Sequence, residues 1–263
     1  MGNITNNGRE MKKSDSSRPV IGRRDFVKLC MTALAVGARD TALANGDPHA
    51  STRLYNRALL VDAENKPVRH ADLVAGENYI FHYPFIATPC FLIDLGETTA
   101  SSEPLMTEDG REYSTPQGVG PKGSVVAFSA ICAHKMTHPA KAVSFINYRH
   151  ERIRYKDKAE QQREGSQVIF CCSERSVYDA RMGARVLGGP AKQPLAAIVL
   201  EYDREKDEFF AVGTRGGEMF NKFFETFAHR LQLEYRVTEI ENRISKTTRV
   251  LPIDEYCSNT ILC

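Results

Sequence analysis

Two short boxes in this 263-residue chain gather the side chains that ligate soft metals. The first, Val125-Val126-Ala127-Phe128-Ser129-Ala130-Ile131-Cys132-Ala133-His134, ends a strand-like apolar run in Cys-x-His. The second, Cys171-Cys172-Ser173-Glu174-Arg175-Ser176-Val177-Tyr178-Asp179, follows the run Gln167-Val168-Ile169-Phe170 and brings more thiol. Gly183-Ala184-Arg185-Val186 and Gly189-Pro190-Ala191 come after it as turn material. Thiolate is a soft donor and imidazole suits iron, zinc and copper, whereas a carboxylate oxygen is a hard donor. Seven Cys in all is a high count for a cytosolic protein of this size. A Ser/His/Asp hydrolase would need a turn such as Gly-x-Ser-x-Gly, and the sequence has none.

The elements that position these boxes read as short strands. Ala58-Leu59-Leu60-Val61, Tyr79-Ile80-Phe81-His82-Tyr83 and Cys90-Phe91-Leu92-Ile93 are apolar, β-branched or aromatic runs separated by turn signals. Residues 96–121, rich in Ser, Thr, Gly and Pro, predict a surface loop or irregular hairpin. Ala196 to Tyr202 and Phe209 to Val212 predict a closing hairpin around a charged turn. Strand after strand argues an all-β domain. One segment differs: Phe220, Phe223, Phe224, Phe227 and Leu231 recur at spacings of three and four, the stripe of an amphipathic helix. His82 sits in a strand pattern, and His70, His150 and His229 sit among charges, so none of them asks for a function.

Composition narrows the classes further. The chain is 42% hydrophobic and 26% charged, enough for a core. Its net charge of +2 is uneven, because residues 1–44 hold eight Lys/Arg against four Asp/Glu. The body therefore carries no basic footprint for nucleic acid. The basic excess surrounds Arg23-Arg24-Asp25-Phe26, the apolar run Leu29 to Ala38 and the small-residue pattern Ala42-Leu43-Ala44. This resembles a twin-arginine export signal with its cleavage site, and implies a periplasmic location. Left uncut, the segment would give membrane contact, although about ten apolar residues are too few to span the hydrocarbon. The organisation read here is export signal 1–44, main domain 45–215, and helix with tail 216–263. In an oxidising compartment Cys257 and Cys263 are candidates to pair with each other or to clip the tail onto the sheet.

Together the boxes, the Gly-Pro-Ala loop and the export signal make residues 79 to 202 resemble the Rieske iron–sulfur protein family of cytochrome bc-type complexes, and also the arsenite oxidase small subunit. The resemblance implies a Rieske-type antiparallel β-sandwich with a cluster-binding subdomain and one C-terminal amphipathic helix. It implies a [2Fe–2S] cluster with two Cys on one iron and two His on the other. Carried over, Cys132, His134 and Cys172 are the metal ligands, while Ser176, Tyr178, Gly189 and Pro190 surround the cofactor. The family's second box ends in a His that is absent here. Alignment on Cys172 puts Arg175 in that place, and alignment on Cys171 puts Glu174 there; the first is preferred, since it needs one deletion. Arg has no lone pair to offer, a carboxylate is hard, and Cys171 would face away from Cys172. His138 is a further candidate, so the fourth ligand is open.

The family's inter-loop cysteine staple is also missing, its positions falling on Thr137 and on Ser173 or Glu174. The 37 residues between His134 and Cys172 exceed the family's usual gap, and the polar excess, Tyr148 to Arg152 and Lys156 to Glu160, reads as a protruding hairpin or a docking surface. The implied function is that of an electron-transfer subunit rather than a stand-alone enzyme. It would pass single electrons from a quinol or a partner dehydrogenase toward a cytochrome, within a quinol-oxidising or molybdenum-type complex. The alternative is a cluster-less Rieske-fold subunit with a structural or assembly role. A ring-hydroxylating oxygenase is disfavoured, because too little chain follows the second box for a catalytic iron domain.

Overall fold

Sixteen short runs form strands among the described residues, from the fully buried Val125–Ser129 to Gln162–Gly165, which buries none of its side chains. The computed structural model describes residues 1–2, 52–99 and 104–263. The arginine pair, the apolar run and the cleavage pattern lie outside the described residues. From Thr52 onward the described chain belongs to one compact unit. In order the strands are β1 (Thr52–Val61), β2 (Tyr79–His82), β3 (Pro89–Asp94), β4 (Leu105–Met106), β5 (Glu112–Tyr113), β6 (Val125–Ser129), β7 (Ile146–Arg149) and β8 (Ile153–Lys156). There follow β9 (Gln162–Gly165), β10 (Val168–Cys171), β11 (Ser176–Asp179), β12 (Arg185–Gly188), β13 (Ala197–Asp203), β14 (Glu208–Arg215), β15 (Thr247–Arg249) and β16 (Leu251–Pro252). Among the described residues there are two α-helices, α1 (Phe220–Tyr235) and the one-turn α2 (Ile253–Tyr256).

Eight strands form one sheet in the order β15-β1-β14-β13-β6-β3-β2-β16, and four form a second, β12-β11-β10-β7. Neighbours are antiparallel except β1 with β15. Phe91, Ile93, Val126 and Phe128 of the large sheet pack with Ile146, Tyr148, Ile169 and Tyr178 of the small one. The layer between the sheets also holds Cys132 and Cys171. Side chains of this size contribute about 1.5–3 kcal/mol each when fully buried, so this layer fixes the sheets face to face. The other face of the large sheet carries a second core of Leu60, Phe81, Leu92, Ala127, Ile198 and Phe209. The all-β architecture and the C-terminal amphipathic helix are therefore present as read from the sequence.

Helix α1 buries Phe220, Phe223, Phe224 and Leu231 against Ala87, Ile131 and Met136. Two of those partners, Ile131 and Met136, flank the Cys-x-His segment, so the helix braces the first box from behind. The expected protruding hairpin exists as β8–β9, but its turn does not stand free. Lys158 Nζ donates to the carbonyls of Gly189 (3.0 Å) and Ala191 (2.6 Å), which folds the hairpin tip over the Gly-Pro-Ala loop. Gly188 is required under that tip, because a Cβ there would collide with the carbonyl of Lys156. Among the described residues no helix is long and apolar enough to cross a membrane.

Candidate metal centre

Strand β6 ends at Ser129 and delivers Cys132 and His134 into a tight loop. The Cys132 amide donates to the carbonyl of Thr137 (2.8 Å), and the Met136 amide returns to the carbonyl of Cys132 (2.9 Å). Met136 takes a left-handed φ of 57° to close the turn. Strand β10 delivers the second box in the same manner. The Arg175 amide donates to the carbonyl of Cys171 (2.7 Å), and Arg175 takes a left-handed φ of 58°. Each loop thus begins at a buried cysteine and closes onto that cysteine's carbonyl four residues later.

The hairpin register decides which cysteine of the second box faces the first. Cys171 lies opposite Ser176, and Ile169 lies opposite Tyr178. Directly opposed residues of an antiparallel pair share a face, and residues two apart on a strand do too. Cys171, Ser176 and Tyr178 therefore point together, into the layer that holds Cys132. Cys172 has the opposite parity. Its sulfur is bonded to Cys263, with the two Cα atoms 5.8 Å apart. This corrects the placing of Cys172 among the metal ligands, because a disulfide sulfur has no thiolate to offer. Of the two roles open to the tail cysteines, Cys263 clips the tail to the end of β10 and does not pair with Cys257, which is a free, buried thiol in the inter-sheet core.

The two inward sulfurs are prepared unequally. The Cys132 thiol is held down to about 6, chiefly by a hydrogen bond from Cys171 and against the cost of burial. Tyr178 Oη, the backbone at His134 and Ser176 act on it in the same direction. Cys171, as the donor of that pair, is pushed up by Cys132 and by burial. Tyr178 Oη lies 3.2 Å from the Cys132 sulfur and accepts from the Ala133 amide at 3.1 Å. An oxygen that accepts from an amide has its own proton free, so the hydroxyl donates to sulfur. Ser176 Oγ, buried without a hydrogen bond of its own, stands near enough to help hold that thiolate.

His134 keeps its side chain 27% exposed, yet Nδ1 is buried and has no hydrogen-bond partner. An unpaired buried ring nitrogen costs free energy, and such an atom asks for a partner. Glu174, also 27% exposed, places Oε2 at 3.8 Å from that nitrogen, and its Oε1 pairs with Lys135 Nζ at 3.0 Å. Gly189, φ 75°, meets the backbone of Arg175 and Ser176, so it shapes the second loop from behind; Pro190 is exposed. His138 is turned away. Its Nδ1 meets the carbonyl of Met136 at 2.9 Å, and its ring packs edge-on to Phe223 and Phe227.

Among solved structures, the chain is similar to the soluble domain of the Rieske protein II from Sulfolobus acidocaldarius. The two share 24% sequence identity over 62% of this chain and 82% of that one, with a TM-score of 0.42. No family model matches the chain.

A two-iron cluster makes a particular demand, two protein donors per iron. Among the described residues no three His, Cys, Asp or Glu side chains converge as ligands of one ion. Three donors stand in two places instead: two thiols side by side in the core, and an orphaned imidazole nitrogen at the rim. Thiolate and imidazole suit three of the four positions of a [2Fe–2S] centre. Sequence reasoning missed Cys171, and the signal that would have found it is the shared parity with Ser176 and Tyr178.

Proposed function

We propose that this chain is an exported Rieske-type electron-transfer protein, a subunit that relays single electrons from a quinol or a partner dehydrogenase toward a cytochrome. The observation that carries the reading is the buried Cys132–Cys171 pair under the Tyr178 hydroxyl, two residues along the first loop from His134, whose Nδ1 is buried and unpaired. In this reading Cys132 and Cys171 hold the inner iron and His134 holds the outer one. When bound, the cluster supplies reversible one-electron chemistry.

The chain's own residues do the rest. Tyr178 Oη and Ser176 Oγ stabilise negative charge on the Cys132 sulfur, which favours the reduced state and raises the potential. The two sheets exclude water from the thiolate side, since Cys132 and Cys171 are fully buried. His134 keeps part of its side chain at the surface, so the centre has one edge open to a redox partner. Helix α1 fixes the first loop through Ile131 and Met136, and the Cys172–Cys263 bridge ties the second loop to the tail. The leader of residues 1–44 supports export by the twin-arginine route, which carries proteins already folded around a cofactor.

Anaerobic reconstitution of the full chain with ferrous iron and sulfide tests the reading. Two irons and two sulfides per chain are expected, with visible absorbance lost in Cys132→Ser, Cys171→Ser and His134→Ala and retained in Cys172→Ser. Wild-type protein that takes up no more iron than Cys132→Ser would leave the alternative, a cluster-less structural or assembly subunit of a redox complex.

A further inference from the structure

We infer that Glu174 is the fourth protein donor of the centre, a carboxylate oxygen standing with His134 on the outer iron; this rests on the reading just given. The backbone supplies the first argument. The two loops share one construction, a buried cysteine whose carbonyl accepts the amide four residues on, with a left-handed residue at the closure. Each projects one side chain capable of ligation from its tip, His134 from the first and Glu174 from the second. The cysteines pair in the core, and the two tip side chains pair at the rim.

Geometry at the rim supplies the second. His134 Nδ1 is buried and has no hydrogen-bond partner, and the Glu174 Oε2 oxygen faces it at 3.8 Å. That separation is too long for a hydrogen bond. Lys135 takes the other carboxylate oxygen, Oε1, at 3.0 Å. The ammonium thereby turns the carboxylate, leaving one oxygen directed at the same space as the imidazole nitrogen. Monodentate ligation needs that arrangement.

Among the described residues the rival donors are placed elsewhere. Arg175 is exposed, occupied in closing the turn, and has no lone pair. Cys172 is in a disulfide. His138 is packed among the phenylalanines of α1. His82 bonds Tyr235 and Tyr256, His70 faces Asp94, His150 meets Tyr148, and His229 is exposed on α1. A centre held by two thiolates, one imidazole and one carboxylate has a single nitrogen ligand, and it carries one more negative charge than a centre of two thiolates and two imidazoles. Its potential is therefore lower than that of the matching two-imidazole site.

Pulsed electron paramagnetic resonance on the reduced, reconstituted full chain counts the strongly coupled nitrogens. Wild type should show one, and Glu174→His should show two, with a higher midpoint potential and the same two irons per chain. Glu174→Ala, checked for folding by far-ultraviolet circular dichroism, should lose iron several-fold. Two coupled nitrogens in the wild type would overturn the inference while leaving the iron–sulfur reading intact. So would a Glu174→Ala protein with wild-type iron content and an unchanged spectrum, or a Glu174→His protein that still shows one nitrogen. No iron uptake above the Cys132→Ser background overturns both.

Discussion

Removing the sulfur of Cys263 separates two roles that the second box has to keep apart. Cys172 and Cys263 are 91 residues apart in sequence, so their bridge closes a long loop in the unfolded chain. Loop-closure entropy for that length is about 15 cal/mol/K, or about 4.6 kcal/mol at 25 °C. The folded state changes little when the bridge is absent, because the tail is held by other bonds. The Ser144 amide donates to the carbonyl of Asn259 (2.9 Å), the Ile261 amide donates to that of Ser144 (2.8 Å), and Asn147 Nδ2 donates to that of Ile261 (3.0 Å). The loss thus falls almost wholly on the unfolded chain, which gains freedom. Against a total stability of about 5–15 kcal/mol for a domain, that is a third or more.

Guanidinium unfolding followed by circular dichroism measures it. Cys263→Ser, Cys172→Ser and the double variant should all be destabilised by about 4–5 kcal/mol relative to oxidised wild type, with no further loss in the double. Reduced wild type should match them. All should keep the iron that Cys171→Ser loses. Two results refute the reasoning: a Cys263→Ser protein within about 1 kcal/mol of the oxidised wild type, or a Cys172→Ser protein that loses iron while Cys263→Ser retains it. The second would return Cys172 to the ligand set.

Three more expectations follow from particular contacts. His82 is pushed down to about 4 by burial and by the positive charge of Lys141, so the unfolded chain takes up its proton first as the pH falls below the ordinary 6.5. Its stability contribution is complete above about pH 6.5 and lost toward pH 4, roughly 3 kcal/mol in all; His82→Asn should flatten the denaturant-measured profile over that window, and parallel profiles would refute it. Tyr178→Phe removes the hydroxyl on the Cys132 sulfur, and protein-film voltammetry should find the potential of the loaded protein lowered by roughly 30–100 mV. Replacing both Arg23 and Arg24 by Lys should hold the precursor in the cytoplasm, read by fractionation, and normal export would sink the twin-arginine reading.

How much of this was legible in the sequence depends on whether one face of an element is wet. The helix stripe from Phe220 to Leu231 was plain, because polar residues fill the opposite side of α1. The strands from Ala58 to Phe128 and the hairpin around Asp203 to Glu208 were plain for a related reason, turn residues bounding apolar runs. β10 gives no such help. Val168, Ile169, Phe170 and Cys171 are all buried, with Ile169 and Cys171 in the inter-sheet layer and Val168 and Phe170 in a separate cluster beneath the β8–β9 hairpin. A strand buried on both faces hides its own parity. Two adjacent cysteines at its end are then indistinguishable by pattern, and choosing Cys172 sent one thiol to the wrong side.

The register of β10 with β11 supplies what the pattern withholds. Four residues, Cys172 to Arg175, connect Cys171 to its partner Ser176, so every side chain on that face of β11 is fixed relative to Cys171. Tyr178 reaches the Cys132 sulfur only because Cys171, and not Cys172, lies on its face. The neighbour's outward parity then accounts for the bridge to Cys263, whose distance along the chain no local reading spans. Cys257 is closer to Cys263 in sequence, but it is held inside with Tyr256 by the turn of α2 and never meets it. One parity thus sorts the cysteines of the second box and the tail, turning Cys171 into the layer that holds Cys132 and Cys172 toward its bridge with Cys263. It leaves Glu174, three residues past Cys171, at the rim beside His134.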